Sequence, residues 1–372
     1  MLVGIGKIAD SRRLGVRKQS QRKKKKMKRI GYLYEKIISM DNLRLADEKA
    51  RKGKKSTYGV RVFDKNREDN LLKLHEMLKN KTFRTSKYDV FTIHEPKERV
   101  IYRLPYFPDR IVHHAILNIL EPIWRSVFTY NTYSCIKGRG IEGCARRVGE
   151  IIRRHPIDRP LYCLKIDIVK YYPSIDHEVM KKIIRQKIKD ADVLNLLDEI
   201  IESTDGLPIG NYSSQYLANL YLAYFMHWVN EVLKVESTEY ADDITFFAES
   251  KEVLHKVRKA IKGKIEGELK LKIKGNWQIF KIGMNRYDKS GRALDYVGYQ
   301  FFRKQKLMRK RTKQNLCREM KAARKKGIKE DALKMRISPW LGWTAHSDSR
   351  HLLEKIGAFH DIHNYNFKKI AI

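Results

Sequence analysis

Asp242 and Asp243 stand side by side within a run of β-formers: Thr238, Tyr240, Ile244, Thr245, Phe246 and Phe247. Two adjacent acids do not suit the middle of a strand. They suit the tip of a tight hairpin over residues 238–248, where the turn projects both carboxylates and Ala241 leaves room beside them. Asp167 closes the apolar, β-rich run over residues 161–168, at a position where a purely structural strand favours an apolar side chain. An Asp-Asp pair alone also fits an ordinary turn. Together with Asp167 it points to chemistry. Converging carboxylates repel one another unless cations lie between them. Mg2+ takes oxygen ligands, usually one or two carboxylates completed by phosphates and water. Two such ions roughly 3.5–4 Å apart activate a hydroxyl and neutralise a departing phosphate. The three aspartates therefore form a candidate two-magnesium site for nucleotidyl transfer.

The surrounding pattern shows which elements position them. Helical periodicity covers residues 32–51, with an interruption around 40–42, and residues 68–80, with Leu71, Leu72, Leu74 and Met77 inward. Residues 88–93 and 100–104 read as two strands joined by a Glu-Pro-Lys-Glu loop. Residues 109–128 read as a buried helix. Beyond Asp167, residues 177–204 are helical with Asp176 as N-cap. Residues 214–234 form a long apolar helix, 251–270 a further helix, and 296–302 a short strand. This order predicts an α+β class, with an antiparallel sheet backed by helices. A basic helical stretch over 303–326 and a small helical bundle follow.

Composition sets the partner class. The chain has 372 residues, 42% hydrophobic and 33% charged, which is enough apolar matter for a large core rather than a disordered chain. Its formal net charge of +36 calls for a polyanion, and nucleic acid is the obvious one. Residues 12–29 carry eleven basic side chains and no acid, which fits an arm that pairs with phosphates. The four cysteines form no CxxC or CxxH pair, so neither a zinc site nor a disulfide framework is expected. No apolar run approaches ~18 residues and no signal peptide is evident, so neither a membrane span nor export is expected. A cytoplasmic location follows.

Tyr240-Ala-Asp-Asp243 resembles the signature box of reverse transcriptases, and residues 167–175, DIVKYYPSI, are similar to the first catalytic block of that family. The resemblance implies a right-hand polymerase fold. Its parts are a basic N-terminal arm over 1–30, fingers over 31–160, a palm over 161–302 and a helical thumb over 303–372. It implies Asp167, Asp242 and Asp243 as catalytic and metal residues for two Mg2+ ions, with the Ile168 carbonyl as a further ligand. Tyr172 matches the aromatic steric gate that rejects a 2′-hydroxyl. Lys97 and Arg99 match the basic residues that fold onto the triphosphate of an incoming dNTP. Arg110, Lys137, Arg139 and Tyr240 lie in blocks that approach template or nucleotide. Residues 296–299 resemble the primer-grip strand. Arg303, Lys304, Lys306, Arg309, Lys310, Arg311 and Lys313 would line the RNA/DNA hybrid. Trp340 and Trp343, in a thumb-like segment, read as core.

The segment from Leu207 to Gln215, LPIGNYSSQ, bears on the subfamily. Many bacterial relatives carry Pro-Gln-Gly followed by Ser-Pro. Here Ile209 precedes Gly210, and Gln215 follows Ser214. This pattern is similar to the reverse transcriptases of diversity-generating retroelements. Ile209, Gly210 and Gln215 would then meet the nascent pair, and an aliphatic Ile209 supplies shape without a hydrogen bond, which weakens discrimination. The resemblance implies low fidelity opposite template adenines, mutagenic retrohoming into a target gene, a structured retroelement RNA and an oligomeric accessory variability protein. It also implies a prokaryotic or phage origin. About 70 residues follow the last palm strand, too few for a thumb plus an RNase H or HNH domain. Two alternatives remain: a retron-type or group II intron-like enzyme, and a non-catalytic RNA-binding scaffold.

Overall fold

The computed structural model describes residues 28–94 and 98–357; most of the basic arm, and Lys97, lie outside the described residues. Residues 32–51 fold as two helices. α1 (Tyr34–Ile38) stops at Ser39, whose backbone is extended (φ −57°, ψ 142°) and whose hydroxyl accepts from the Asn42 N–H to cap α2 (Met40–Ala50). α3 (Tyr58–Asp64) and α4 (Arg67–Lys79) follow. In α4 the residues facing the core are Leu71, Leu74 and Leu78, whereas Leu72, expected inward, is 52% exposed. A single residue turns the helix by about 100°, enough to take Leu72 off the buried stripe.

β1 (Asp89–Ile93) and β2 (Arg99–Arg103) form an antiparallel hairpin. The helix expected from 109 begins only after a π-type turn over Tyr106–Arg110, giving α5 (Ile111–Arg125). Buried Asn42 donates to the carbonyls of Ile37 and Ala115, fastening α2 to α5. α6 (Gly140–Arg154) buries Cys144, Ala145, Val148, Ile151 and Ile152. Its glycines at 140, 143 and 149 obscure the helical signal, since glycine disfavours helix by about 1 kcal/mol.

β3 (Tyr162–Asp167) is followed by α7 (His177–Lys187) and α8 (Ala191–Ile201), where one helical stretch was expected. Asp176 caps α7 through the Val179 N–H, and Asp190 caps α8 through Val193. The break between them is used: Ile188 bridges to Ile30, and Asp190 accepts from the Leu33 N–H at 2.6 Å. α9 (Tyr212–Trp228) is the central helix, buried on nearly every side. β4 (Glu236–Tyr240), β5 (Asp243–Ala248), α10 (Lys251–Gly267) and β6 (Gln278–Lys281) complete the middle of the chain.

These strands form one antiparallel sheet in the order β4-β5-β3-β6. Period-two alternation sends Leu164, Ile166, Ile244 and Phe246 into the main core, shared with α5 and α9. Cys163 and Phe247 face a second core built on α6 and the next sheet. The palm sheet is thus covered on both faces, as the α+β expectation required. Among the described residues no helix is long and apolar enough to cross a membrane.

The single strand expected over 296–302 is instead a hairpin, β7 (Leu294–Tyr296) and β8 (Tyr299–Phe301), joined by β9 (Lys306–Met308) into a three-stranded sheet. Val297 (φ 39°) and Gly298 (φ 87°) make the two-residue turn. Positive φ at both positions matches the right-handed twist of the flanking strands. α11 (Lys310–Lys325), α12 (Glu330–Ala345) and α13 (Arg350–Lys355) close a third small core around Leu316, Met320, Ile337, Leu341 and Leu353. Trp343 packs on Tyr299 with ring centroids 5.1 Å apart, and Trp340 packs against the third core.

A β-carbon at Gly298 would lie 2.2 Å from the Trp343 ring. Gly298→Ala is therefore expected to destabilise the fold by about 1–3 kcal/mol, the usual cost of forced overpacking. Urea denaturation checks it, and an unchanged midpoint would show that the helical lobe does not seat on this turn.

Candidate active site

The antiparallel register sets the site. Asp167, last in β3, lies directly opposite Asp243, first in β5, and Asp243 also pairs with Tyr240. Asp242 occupies the β4–β5 turn behind Ala241, which adopts a left-handed backbone (φ 55°). Such a conformation costs a non-glycine residue about 1 kcal/mol or more and is typically retained where geometry matters. The turn is tied to β3 by the Ile168 N–H, which donates to the Asp242 carbonyl at 3.3 Å. From the far side the buried Tyr296 hydroxyl donates to the Asp243 carbonyl at 2.9 Å. Three carboxylates are thereby held at one end of the sheet.

Their electrostatics reflect that crowding. Burial raises the Asp242 carboxyl above the ordinary carboxylate range, and the Asp167 and Asp243 charges add to it. Asp243 is also raised, by burial first, with Lys165 opposing and Asp167 reinforcing. Two lysines offset the repulsion. Lys165 Nζ lies 3.6 Å from Asp243 Oδ1, and Lys274 Nζ lies 2.5 Å from Asp167 Oδ1. The second contact is short but badly angled, so Asp167 Oδ1 is buried without a hydrogen bond. Among the described residues no three His, Cys, Asp or Glu side chains form a ready metal cage. The donor set nonetheless suits a hard cation: oxygen-only, carboxylate-rich, with one buried oxygen that no hydrogen bond satisfies.

Around this end lie several of the expected nucleotide residues. Tyr171 is core, its hydroxyl donating to the Ala218 carbonyl, whereas Tyr172 is half-buried. The Tyr172 hydroxyl is held well above the usual tyrosine range by burial, then by Cys135 and Asp242, with Arg99 opposing. Tyr172 therefore sits within electrostatic reach of both Asp242 and the exposed Arg99 of β2. Ile209 accepts from the Tyr102 N–H at 2.8 Å, docking β2 on this loop. Gly210 (φ 130°) abuts the same strand so closely that a β-carbon would lie 2.5 Å from the Tyr102 carbonyl oxygen. Gln215 is exposed on the first turns of α9.

Several basic residues expected at nucleic acid are engaged elsewhere. Arg139 is half-buried and donates to the carbonyls of Thr129 (2.5 Å) and Thr132 (2.8 Å), so it braces its own loop. Arg303, only 7% exposed, donates to the carbonyls of His155 and Pro156 and faces the chain rather than a groove. Arg309 is ion-paired with Asp295, Nε to Oδ1 at 2.6 Å. The Lys306 ammonium sits 5.5 Å from the Tyr299 ring centre, and burial lowers its pKa. Arg110 is half-buried, and burial lowers its pKa as well. Lys137, Lys304, Lys310, Arg311 and Lys313 are exposed. Sequence reasoning missed Lys165 and Lys274. Lys165 was findable, because it shares the Asp167 face of β3 two residues earlier. Lys274 left no local signal.

An antiparallel sheet with an acidic hairpin tip beside a strand-end aspartate, covered by helices and followed by a helical lobe, defines a right-hand polymerase fold. Residues 89–300 match the reverse transcriptase (RNA-dependent DNA polymerase) family, more than half of the chain. The chain belongs to that family. It is 25% identical to Protein YkfC of Escherichia coli (strain K12), over 46% of this chain and 56% of that protein. It is 27% identical to Nuclear intron maturase 1, mitochondrial, of Arabidopsis thaliana, over 27% of this chain and 14% of that protein. The chain thus spans little more than half the length of the first relative and a small part of the second. Among solved structures it is similar to telomerase from Candida tropicalis in complex with a fragment of telomeric RNA, at 12% identity and a TM-score of 0.48, covering 80% of this chain and 60% of that one. Telomerase from Candida albicans, in the corresponding complex, gives 12% identity and a TM-score of 0.47, covering 78% and 59%.

Glu239, three residues before Asp242, was also missed, because a charged residue in an alternating strand reads as solvent-facing. It is fully buried. One carboxyl oxygen accepts from the Thr132 hydroxyl at 2.9 Å, and the other has no hydrogen-bond partner. Burial pushes its pKa up to about 8, despite Thr132 and Arg139. The folded protein therefore keeps a proton that the unfolded chain releases near the ordinary value of 4.5. Since the native state binds more protons across that window, stability falls as pH rises from about 4.5 toward about 8. Glu239→Gln, which keeps the shape without the titration, is expected to be more stable than wild type at pH 8 and to show a flatter profile. Chemical denaturation at pH 5.5 and 8 checks it; parallel profiles would remove Glu239 as the source.

Proposed function

We propose that this chain copies RNA into DNA, and that it does so as the polymerase of a diversity-generating retroelement. The observation that carries the catalytic part is the register that sets Asp167 opposite Asp243 beside Asp242 in the turn. Asp167, Asp242, Asp243 and the Ile168 carbonyl would hold two Mg2+ ions, which supply an activated primer 3′-hydroxyl and charge neutralisation at the departing pyrophosphate. The half-buried Tyr172 ring underlies the sugar and excludes a 2′-hydroxyl. Arg99, with Lys97, grips the triphosphate through charge-assisted hydrogen bonds. Residues 31–160, 161–302 and 303–372 serve as fingers, palm and thumb. Lys304, Lys310, Arg311 and Lys313 meet the phosphates of the hybrid, and residues 1–30 add a basic arm.

The finer reading rests on Ile209 and Gln215 in the segment that receives β2. Ile209 is fixed by its backbone, which leaves a branched apolar side chain to meet the nascent pair. Such a surface discriminates by shape alone and tolerates mispairs more readily than a hydrogen-bonding one. In this reading the enzyme copies a template-repeat RNA with errors at adenines. It works in a prokaryotic or phage-infected cytoplasm with an oligomeric accessory variability protein, and the cDNA diversifies a target gene. The likeness to an intron maturase favours a second reading, a group II intron-like enzyme.

Asp242→Asn is expected to reduce dNTP incorporation on an RNA template at least about 1000-fold while RNA affinity stays within about two-fold, because one metal-binding charge is lost from an otherwise intact surface. Primer extension with Mg2+ and filter binding measure the two; retained activity would remove the metal assignment, and no activity in wild type would favour a binding scaffold. Ile209→Gln is expected to lower misincorporation opposite template adenine severalfold. Sequencing the cDNA decides it, and an unchanged error spectrum would favour the intron-like reading.

A further inference from the structure

Lys274 is placed on Asp167 by the backbone rather than by chance. Its N–H donates to the Asp167 carbonyl at 2.8 Å, and the neighbouring Val169 N–H donates to the Lys272 carbonyl at 2.9 Å. Ile273, between these two lysines, bridges to Ile168. The 272–274 segment therefore runs beside 167–169 as an extra short strand, and it delivers the Lys274 ammonium to Asp167 Oδ1 at 2.5 Å. The contact is Coulombic and poorly aligned, and that oxygen is buried with no hydrogen bond. The same ammonium also acts favourably on the charge of Asp242. Lys165, fixed by donating to the Asp295 carbonyl at 3.1 Å, performs the corresponding task for Asp243.

Three carboxylates and two ammonium groups leave a net charge of −1 at the site. An arriving divalent cation meets far less negative charge than the aspartates alone would present, and the buried oxygen it needs already carries an ammonium. We propose that Lys274 is a built-in counter-cation that occupies Asp167 in the metal-free enzyme and competes with the divalent ion for it. Its charge thereby sets the ion concentration at which the centre fills, and binding requires the ammonium to withdraw toward solvent. The side chain is 34% exposed, so that path is open. This inference rests on the assignment of the three aspartates as metal ligands. Lys274 is a positioning residue, and the bond-making step does not pass through it.

Direct Mn2+ titration of the full chain without nucleic acid or dNTP, with free Mn2+ read by electron paramagnetic resonance, tests the competition. Lys274→Gln is expected to bind Mn2+ about ten-fold more tightly, the scale on which one adjacent charge alters proton affinity at a carboxylate. Lys274→Arg, which keeps the charge, should hold the wild-type Kd. Lys272→Gln, an exposed neighbour in the same segment, should leave it unchanged. Unaltered or weaker binding in Lys274→Gln would overturn the proposal, as would equal tightening in Lys272→Gln, which would reveal a bulk charge effect. Asp167→Asn separates the two levels. If it binds Mn2+ as tightly as wild type, the ligand assignment itself fails and the competition falls with it.

Discussion

Like charges directly opposite each other on neighbouring strands destabilise a sheet, yet this fold pairs Asp167 with Asp243 in register and adds Asp242 at the adjoining turn. Much of the neighbouring structure answers that repulsion. Lys165 and Lys274 bring positive charge, the Ile168 amide pins the turn, and the Tyr296 hydroxyl reaches in from a different sheet to hold the Asp243 carbonyl. Apolar packing on both faces of the sheet supplies the rigidity. Leu164, Ile166 and Phe246 are locked into one core, and Cys163 and Phe247 into another. The strands cannot splay to relieve the carboxylates without opening both.

Sequence was informative where the physics is local. Alternation around Asp242-Asp243 and the strand-end position of Asp167 revealed the acidic centre, and amphipathic periodicity revealed most helices. It was uninformative where a distant partner decides. The break at Ile188–Asp190 is stabilised by contacts to Ile30 and Leu33 that no window of residues contains, whereas the break at Ser39, made by a local N-cap, falls beside the interruption expected around 40–42. The Val297-Gly298 turn is hidden in the sequence because its flanking tyrosines are strong β-formers; both are fully buried. Arg139 is expected near template or nucleotide from its block, and Arg303 at the phosphates of the hybrid; a sequence displays such charge without displaying the carbonyls to which it donates. Lys274 and Glu239 escaped for a related reason: their significance lies in what surrounds them.

The junction between the β1–β2 hairpin and the rest of the chain is equally specific. Asn211 donates to the Tyr88 hydroxyl at 2.9 Å, and His113 of α5 contacts the Ser213 hydroxyl of α9 at 2.6 Å. Between these polar ties, Gly210 permits an approach that any side chain would block. The 207–215 segment is thus held from both sides, and its Leu207 N–H donates to the Tyr172 carbonyl at 2.8 Å.

The Tyr102–Ile209 bond has one more implication. Its acceptor is a main-chain oxygen, which all twenty amino acids possess. Anchorage and side-chain identity are therefore separable at position 209: the loop keeps its seat whichever residue the gene encodes there. A single codon can then change the surface that this side chain presents without rebuilding the scaffold.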